Sequence, residues 1–100
     1  MDKYLLKLFV TGHTPKSATA IASLYQICDE QLAGQYEIIV IDVLEQPQLA
    51  EEAKILATPT LIKQSPPPAR RVIGDLSDAQ RVVQGLGLRY MARSEEGGKG

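Results

Sequence analysis

The chain has 100 residues, 44% hydrophobic and 23% charged, which suits one small soluble globular domain and is too short for two. Eleven basic against twelve acidic residues leave a formal charge of −1, so no strong overall field draws the chain to nucleic acid or to an anionic membrane. Cys28 is the sole cysteine, which by count excludes an intrachain disulfide, a Cys-x-x-Cys redox pair and a thiolate zinc cage; it is expected to be a small buried hydrophobe.

Met1-Asp2-Lys3-Tyr4 leads straight into a strand-like segment without a cleavable signal, and no apolar run approaches the roughly 18 residues of a spanning helix. The expected compartment is the cytoplasm, with no membrane insertion. Tyr4 to Val10 is mostly apolar with one charge, Lys7, which predicts a strand covered on both faces, Lys7 emerging near an end or edge. Thr11-Gly12-His13-Thr14-Pro15 reads as a loop closing on a helix, with Thr14 as N-cap and Pro15 at the first helical position, where its missing N–H costs nothing. Over Ser17 to Leu32, Ile21, Leu24, Tyr25, Cys28 and Leu32 recur at spacings of three and four and predict one buried face, with Gly34 as the stop.

Tyr36 to Leu44 carries Ile38-Ile39-Val40-Ile41, a β-branched run that predicts a central strand parallel to the first, reached by a right-handed crossover. Pro47 is expected to start a second helix, with Leu49, Ala53 and Leu56 inside, Glu51 and Glu52 in its early turns and Lys54 in a later one, the charge order that favours the helix dipole. Thr58-Pro59 belongs at a strand start or edge, because proline lacks a donor and restricts the residue before it. Pro66, Pro67 and Pro68 follow closely. Each X-Pro bond prefers trans by only ~0.5–1 kcal/mol and isomerises over tens to hundreds of seconds, which makes this centre a candidate slow switch.

Arg71 to Asp75 reads as a short strand with a turn, and Ser77-Asp78-Ala79-Gln80 as a capping box opening a last helix that buries Leu76, Val82, Val83 and Leu86. That helix is weakly specified. Val82-Val83 is β-branched, Gly85 and Gly87 each cost a helix interior about 1 kcal/mol relative to alanine, and residues 85–91 would also serve as a strand. A single domain over 1–91 and a disordered tail over 92–100 are expected. His13 reads as a loop and cap residue, no second His accompanying it, and Asp75 and Asp78 as turn and helix-start acids. Neither cofactor nor metal is expected.

The resulting order, βαβαββα, resembles that of thioredoxin-like domains, and Ala57-Thr58-Pro59-Thr60 is similar to the signature in which they place a cis-proline before the third strand. Where such oxidoreductases carry their nucleophilic cysteine, this chain has Gly12-His13-Thr14-Pro15-Lys16-Ser17, and neither His13 nor Ser17 replaces a thiolate in disulfide exchange. Two other readings stay open. A glutathione- or thiol-handling relative is motivated by backbone groups at Thr58-Pro59, and a rigid oligomeric adaptor in a stress or redox pathway by the missing chemistry.

Five strings at their spacings, Tyr-Leu-Leu-Lys-Leu-Phe-Val, Ile-Asp-Val-Leu-x-x-Pro-Gln-Leu-Ala-Glu-Glu, Lys-Ile-Leu-Ala-Thr-Pro-Thr-Leu, Pro-Pro-Pro-x-Arg-Arg and Ile-Gly-Asp-Leu-Ser, resemble the KaiB family of circadian clock proteins from about Tyr4 to Leu88. The resemblance implies a non-enzymatic protein with two folds, a thioredoxin-like monomer and a homotetramer whose second half rearranges to βαββααβ. It implies that the monomer binds the ATP-bearing ring of the kinase KaiC, captures KaiA, and competes with a clock-output histidine kinase that has its own thioredoxin-like domain. Carried over residue by residue, it assigns partner contact to Lys7, Lys54, Arg70 and Arg71, and fold choice to Tyr4, Pro59, Pro66, Pro67, Pro68, Gly85 and Gly87. The chain departs from the family at Gly87, Ile39, Thr19 and His13, where Asp, Lys, Arg and Asn are common. The two lost basic groups bear on KaiA capture. Alanine at Gly85 is expected to favour the thioredoxin-like form and to speed binding.

Overall fold

In the computed structural model, which describes residues 3–88, seven elements follow in the order β1 (Tyr4–Val10), α1 (Pro15–Leu32), β2 (Tyr36–Asp42), α2 (Pro47–Glu52), β3 (Thr60–Ser65), β4 (Arg70–Ile73) and α3 (Ala79–Leu86). This is the expected βαβαββα order. The tail over 92–100 and the domain end at 91 lie outside the described residues.

The strands form one sheet in the order β2-β1-β3-β4, with β1 parallel to β2 and antiparallel to β3, and β3 antiparallel to β4. Strand alternation gives β1 two apolar faces. Leu6, Leu8 and Val10 join Leu61 and Val72 in the main core under α1 and α3, with Leu24, Ile27, Cys28, Val82, Val83 and Leu86. Phe9 and Ile41, also buried, belong to the opposite face, where α2 is the helix that packs among the described residues.

β2 is an edge strand, not a central one, and Ile39 and Val40 are 38% and 39% exposed. A β-branched run reports fitness for a pleated backbone but carries no information on whether a second strand lies alongside. Lys7, conversely, sits in the middle of the central strand rather than at an end, between Ile39 and Ile62.

α1 begins as expected, with the Thr14 side chain accepting the Ser17 N–H at 3.1 Å and Pro15 in the first turn. It ends with Ala33 and Gly34 both at positive φ. Its inner face is rotated from the expected one. Ala20 and Ile27 are buried, while Tyr25 is 42% exposed and meets Tyr36 edge-on at 6.3 Å.

α2 stops at Glu52, and Lys54 lies beyond it at φ 57, so Lys54 is not in a helical turn and the dipole argument does not apply to it. The helical period that placed Leu56 inside ends there too, and Leu56 is 93% exposed. Thr58-Pro59 stands immediately before β3, its peptide bond cis, and the Pro59 carbonyl accepts the Gly74 N–H at 2.8 Å.

The N-cap of α3 is Asp78, which accepts the Arg81 N–H at 3.2 Å, rather than Ser77. Asp75 takes both the Ser77 N–H and hydroxyl at 2.9 Å, which removes Ser77 from capping. Leu76, Val82, Val83 and Leu86 are buried as expected. Gly85 lies inside α3, and Gly87 caps it at φ 71, where a side chain would be strained. A Cβ on Gly85 would stand 2.6 Å from Val72 Cγ2, so the helix propensity of alanine is opposed there by a contact that the sequence does not reveal.

Candidate functional site

The residues assigned to partner contact do not all lie together. Cross-strand register aligns Ile39, Lys7, Ile62 and Arg71 in one row across all four strands. Lys7 and Arg71 are therefore two strands apart, roughly 10 Å, on the face that carries α2. Arg70 points the other way, in the row of Leu6 and Lys63. The α2 face thus holds Lys7, Arg71 and, at its rim, Lys54.

Cover on this face is thin. None of the six residues of α2 is buried, and a cleft of about 230 Å³ opens between Leu49, Glu52 and Ala53 on one side and Lys7, Phe9 and Ile62 on the other. Arg71 reaches from β4 to the segment that ends α2 and donates to the carbonyls of Ala53 at 2.8 Å and Lys54 at 3.3 Å. The Ala53 carbonyl stands at the carboxyl end of α2, where a cation is also favoured by the helix dipole, and the Lys54 carbonyl lies one residue beyond it. Arg71 is thus a tether for α2 as well as a charge on its face. Nothing in the local sequence signals a bond between residues 17 apart.

The residues assigned to fold choice fall into three places. Tyr4 opens β1, paired with Tyr36, and its ring lies 5.9 Å from the ammonium of Lys63. Lys63 is itself buried, and burial, followed by repulsion from Arg70, lowers its pKa from the ordinary lysine value. Pro66, Pro67 and Pro68 make the β3–β4 turn at the same end of the sheet, since Ser65 pairs with Leu5. Pro59 lies at the opposite end, Gly85 lies in α3 against Val72 of β4, and Gly87 caps that helix. Tyr4 and Lys63 link the first half of the chain to the second through one cation–ring contact that the sequence reading missed.

The loop between β1 and α1 faces Thr58-Pro59 with hydroxyls. Thr11 and Thr58 share a hydrogen bond at 2.7 Å, and the Ser17 hydroxyl donates to the Thr11 carbonyl at 3.3 Å. The one cysteine is elsewhere. Cys28 is 1% exposed on the core side of α1, and burial, aided by Asp29, pushes its thiol up to about 12, so it supplies no thiolate near neutrality.

Asp42, at the end of β2, was not singled out by sequence, although an Asp closing a strand is a recognised turn former. Its Oδ1 accepts the N–H groups of Gly12 and Leu44, both at 2.9 Å, which fastens the β1–α1 loop to the loop after β2. These two N–H groups, with a smaller contribution from the charge of His13, hold the carboxyl below the ordinary range. Among the described residues, no helix is long and apolar enough to cross a membrane.

Residues 7–88 match the KaiB domain family. The chain is 53% identical over 88 residues to the circadian clock protein KaiB3 of Synechocystis sp., spanning 88% of this chain and 86% of that protein. It is 57% identical over 93 residues to the circadian clock oscillator protein KaiB of Synechococcus sp., spanning 93% and 84%. The N-terminal domain of SasA from Synechococcus elongatus is similar in structure, with TM-score 0.72 and 32% identity over 87% of this chain and 86% of that domain. Mitochondrial thioredoxin 3 of Saccharomyces cerevisiae, at TM-score 0.66 and 17% identity over 87% and 79%, shares the thioredoxin-like fold alone.

Proposed function

We propose, from the premise that the chain belongs to the KaiB family of circadian clock proteins, that it is a clock component working by partner binding and not by catalysis. Its α2 face docks on a KaiC-type ATPase ring. The observation that carries this reading is the alignment of Lys7 and Arg71 in one row beneath a helix that buries nothing and stops at Glu52, two residues before Lys54. Such a surface offers cations, exposed apolar side chains such as Leu56 and Ile73, and little internal packing to lose on docking. Arg70, on the other face, is left out of this contact.

In this reading the resting protein is a cytoplasmic homotetramer whose second half has the order βαββααβ, and the thioredoxin-like monomer is the scarce, competent form. Apparent affinity then falls by the monomer population, and slow interconversion sets a delay. The bound monomer goes on to capture a KaiA-type protein. It also competes for the ring with a clock-output histidine kinase bearing a thioredoxin-like domain, and the likeness of this fold to the SasA domain supports two proteins of one outline sharing one docking position. Gel filtration of the purified chain mixed with a KaiC-type ring tests the reading. A complex that grows slowly is expected, and no complex at any incubation time contradicts it.

A further inference from the structure

We propose that His13, Asp42 and Glu45 form a site for a divalent transition metal of the zinc class. His13 Nε2 lies 3.6 Å from Glu45 Oε2 and 3.9 Å from Asp42 Oδ2, and one ligand atom from each of the three residues lies within 4.8 Å of the others. These separations are too long for good hydrogen bonds. They are close to the spacing of donors around one ion, since ligands at 2.0–2.2 Å in a tetrahedron stand about 3.3–3.6 Å apart. One imidazole and two carboxylates suit a borderline divalent cation better than calcium or magnesium, which favour oxygen donors alone.

The three donors are not equivalent. Asp42 is the fixed one, because its Oδ1 is occupied by the Gly12 and Leu44 N–H groups, while Oδ2 faces His13. Those bonds do for this carboxylate what outer contacts do for ligands elsewhere, setting its direction and keeping it deprotonated. His13 and Glu45 are the mobile pair. Their side chains are 88% and 65% exposed, so turning either toward Asp42 breaks no core contact. Beside them runs a groove of about 570 Å³ lined also by Gly12, Thr14, Val40 and Gln46, which leaves space for water at the remaining coordination positions. His13 is the only histidine in the chain. All three ligands precede α2 and lie in the βαβ half.

The test is titration of the full-length protein with zinc chloride, read by calorimetry and by the imidazole proton resonances, which come from His13 alone. Saturable binding at one ion per chain is expected, with a shift of the His13 resonances. Since even an outer contact to a metal ligand is worth 10–100-fold in affinity, loss of a ligand itself in His13→Asn or Glu45→Gln is expected to weaken binding at least about tenfold. Both changes are at exposed side chains, and circular dichroism checks that each variant is folded. Cys28→Ala, at a buried thiol, is expected to leave binding unchanged. No saturable binding to the unaltered protein, unshifted His13 resonances, or unchanged affinity in either ligand variant overturns the proposal.

Discussion

Arg71→Ala is expected to release α2 while leaving the sheet intact. The helix has six residues, none buried, and helices this short are not stable alone in water, so its tether governs how often the segment opens. That tether includes two guanidinium hydrogen bonds, one good at 2.8 Å and one long at 3.3 Å, both exposed. A hydrogen bond to a charged group contributes about 1.5–3 kcal/mol when sheltered, and solvent competition and the long second contact reduce the pair to roughly 1–1.5 kcal/mol. At 1.4 kcal/mol per tenfold, opening becomes roughly fivefold to twelvefold more frequent. Amide hydrogen exchange reads this directly at Ala53 and Ile55, whose N–H groups bond to Leu49 and Ala50 within the same segment. Those amides are expected to exchange faster by that factor while Leu6 and Leu8 in β1 do not change. Arg71→Lys, a point charge without the fork, is expected to fall between. Unchanged exchange at Ala53 and Ile55, or equal acceleration throughout the protein, refutes the tether.

Gly85→Ala gains about 1 kcal/mol of helix propensity. Its Cβ meets Val72 Cγ2 at 2.6 Å, and displacing that methyl off its rotamer costs about 0.5–1.5 kcal/mol, so the urea midpoint of this fold is expected to move little. A gain of the full propensity would show that Val72 yields freely. Thr14→Ala, which removes the α1 N-cap, is expected to cost about 1 kcal/mol by the same assay, and no loss would mean that the cap is redundant. Cys28 binds its proton more tightly folded than unfolded, so the stability it contributes is present below its unfolded pKa of 9.0 and is lost as pH rises toward about 12. Cys28→Ala is expected to flatten the decline of stability above pH 9.0, and an identical decline contradicts burial of the thiol. Asp42 and Asp75 have lowered pKa values, so their contribution is present above the ordinary carboxylate value of 3.8 and is lost as pH falls through their lower folded values. Asp42→Asn is expected to reduce the acid sensitivity, and an unchanged acid transition contradicts it.

The order of elements was legible because local signals agree with it. Thr14-Pro15 opens α1, Pro47 opens α2, and the apolar positions of α3 fall at helical spacing. What the sequence hid was lateral and long-range. The β-branched residues of β2 carried no mark of an edge, and the single charge of β1 gave no hint that Lys7 lies in the central strand above a cleft. Lys54 looked like a helix-end cation, but the chain turns to positive φ there and offers Arg71 a carbonyl. Arg70 and Arg71 read alike as neighbours, and alternation along β4 sends them to opposite faces. His13 looked inert because no second histidine accompanies it, whereas the fold brings Asp42 and Glu45 to it from 29 and 32 positions away.

The most direct measurement is amide exchange across the whole chain with and without a KaiC-type ring. Protection is expected at α2, at Lys54 to Ala57 and along the row of Lys7, Ile62 and Arg71, with α1 and the outer side of α3 unaffected. Protection confined to α1 and α3, or none at all in a mixture that gel filtration shows to be a complex, contradicts docking through the α2 face.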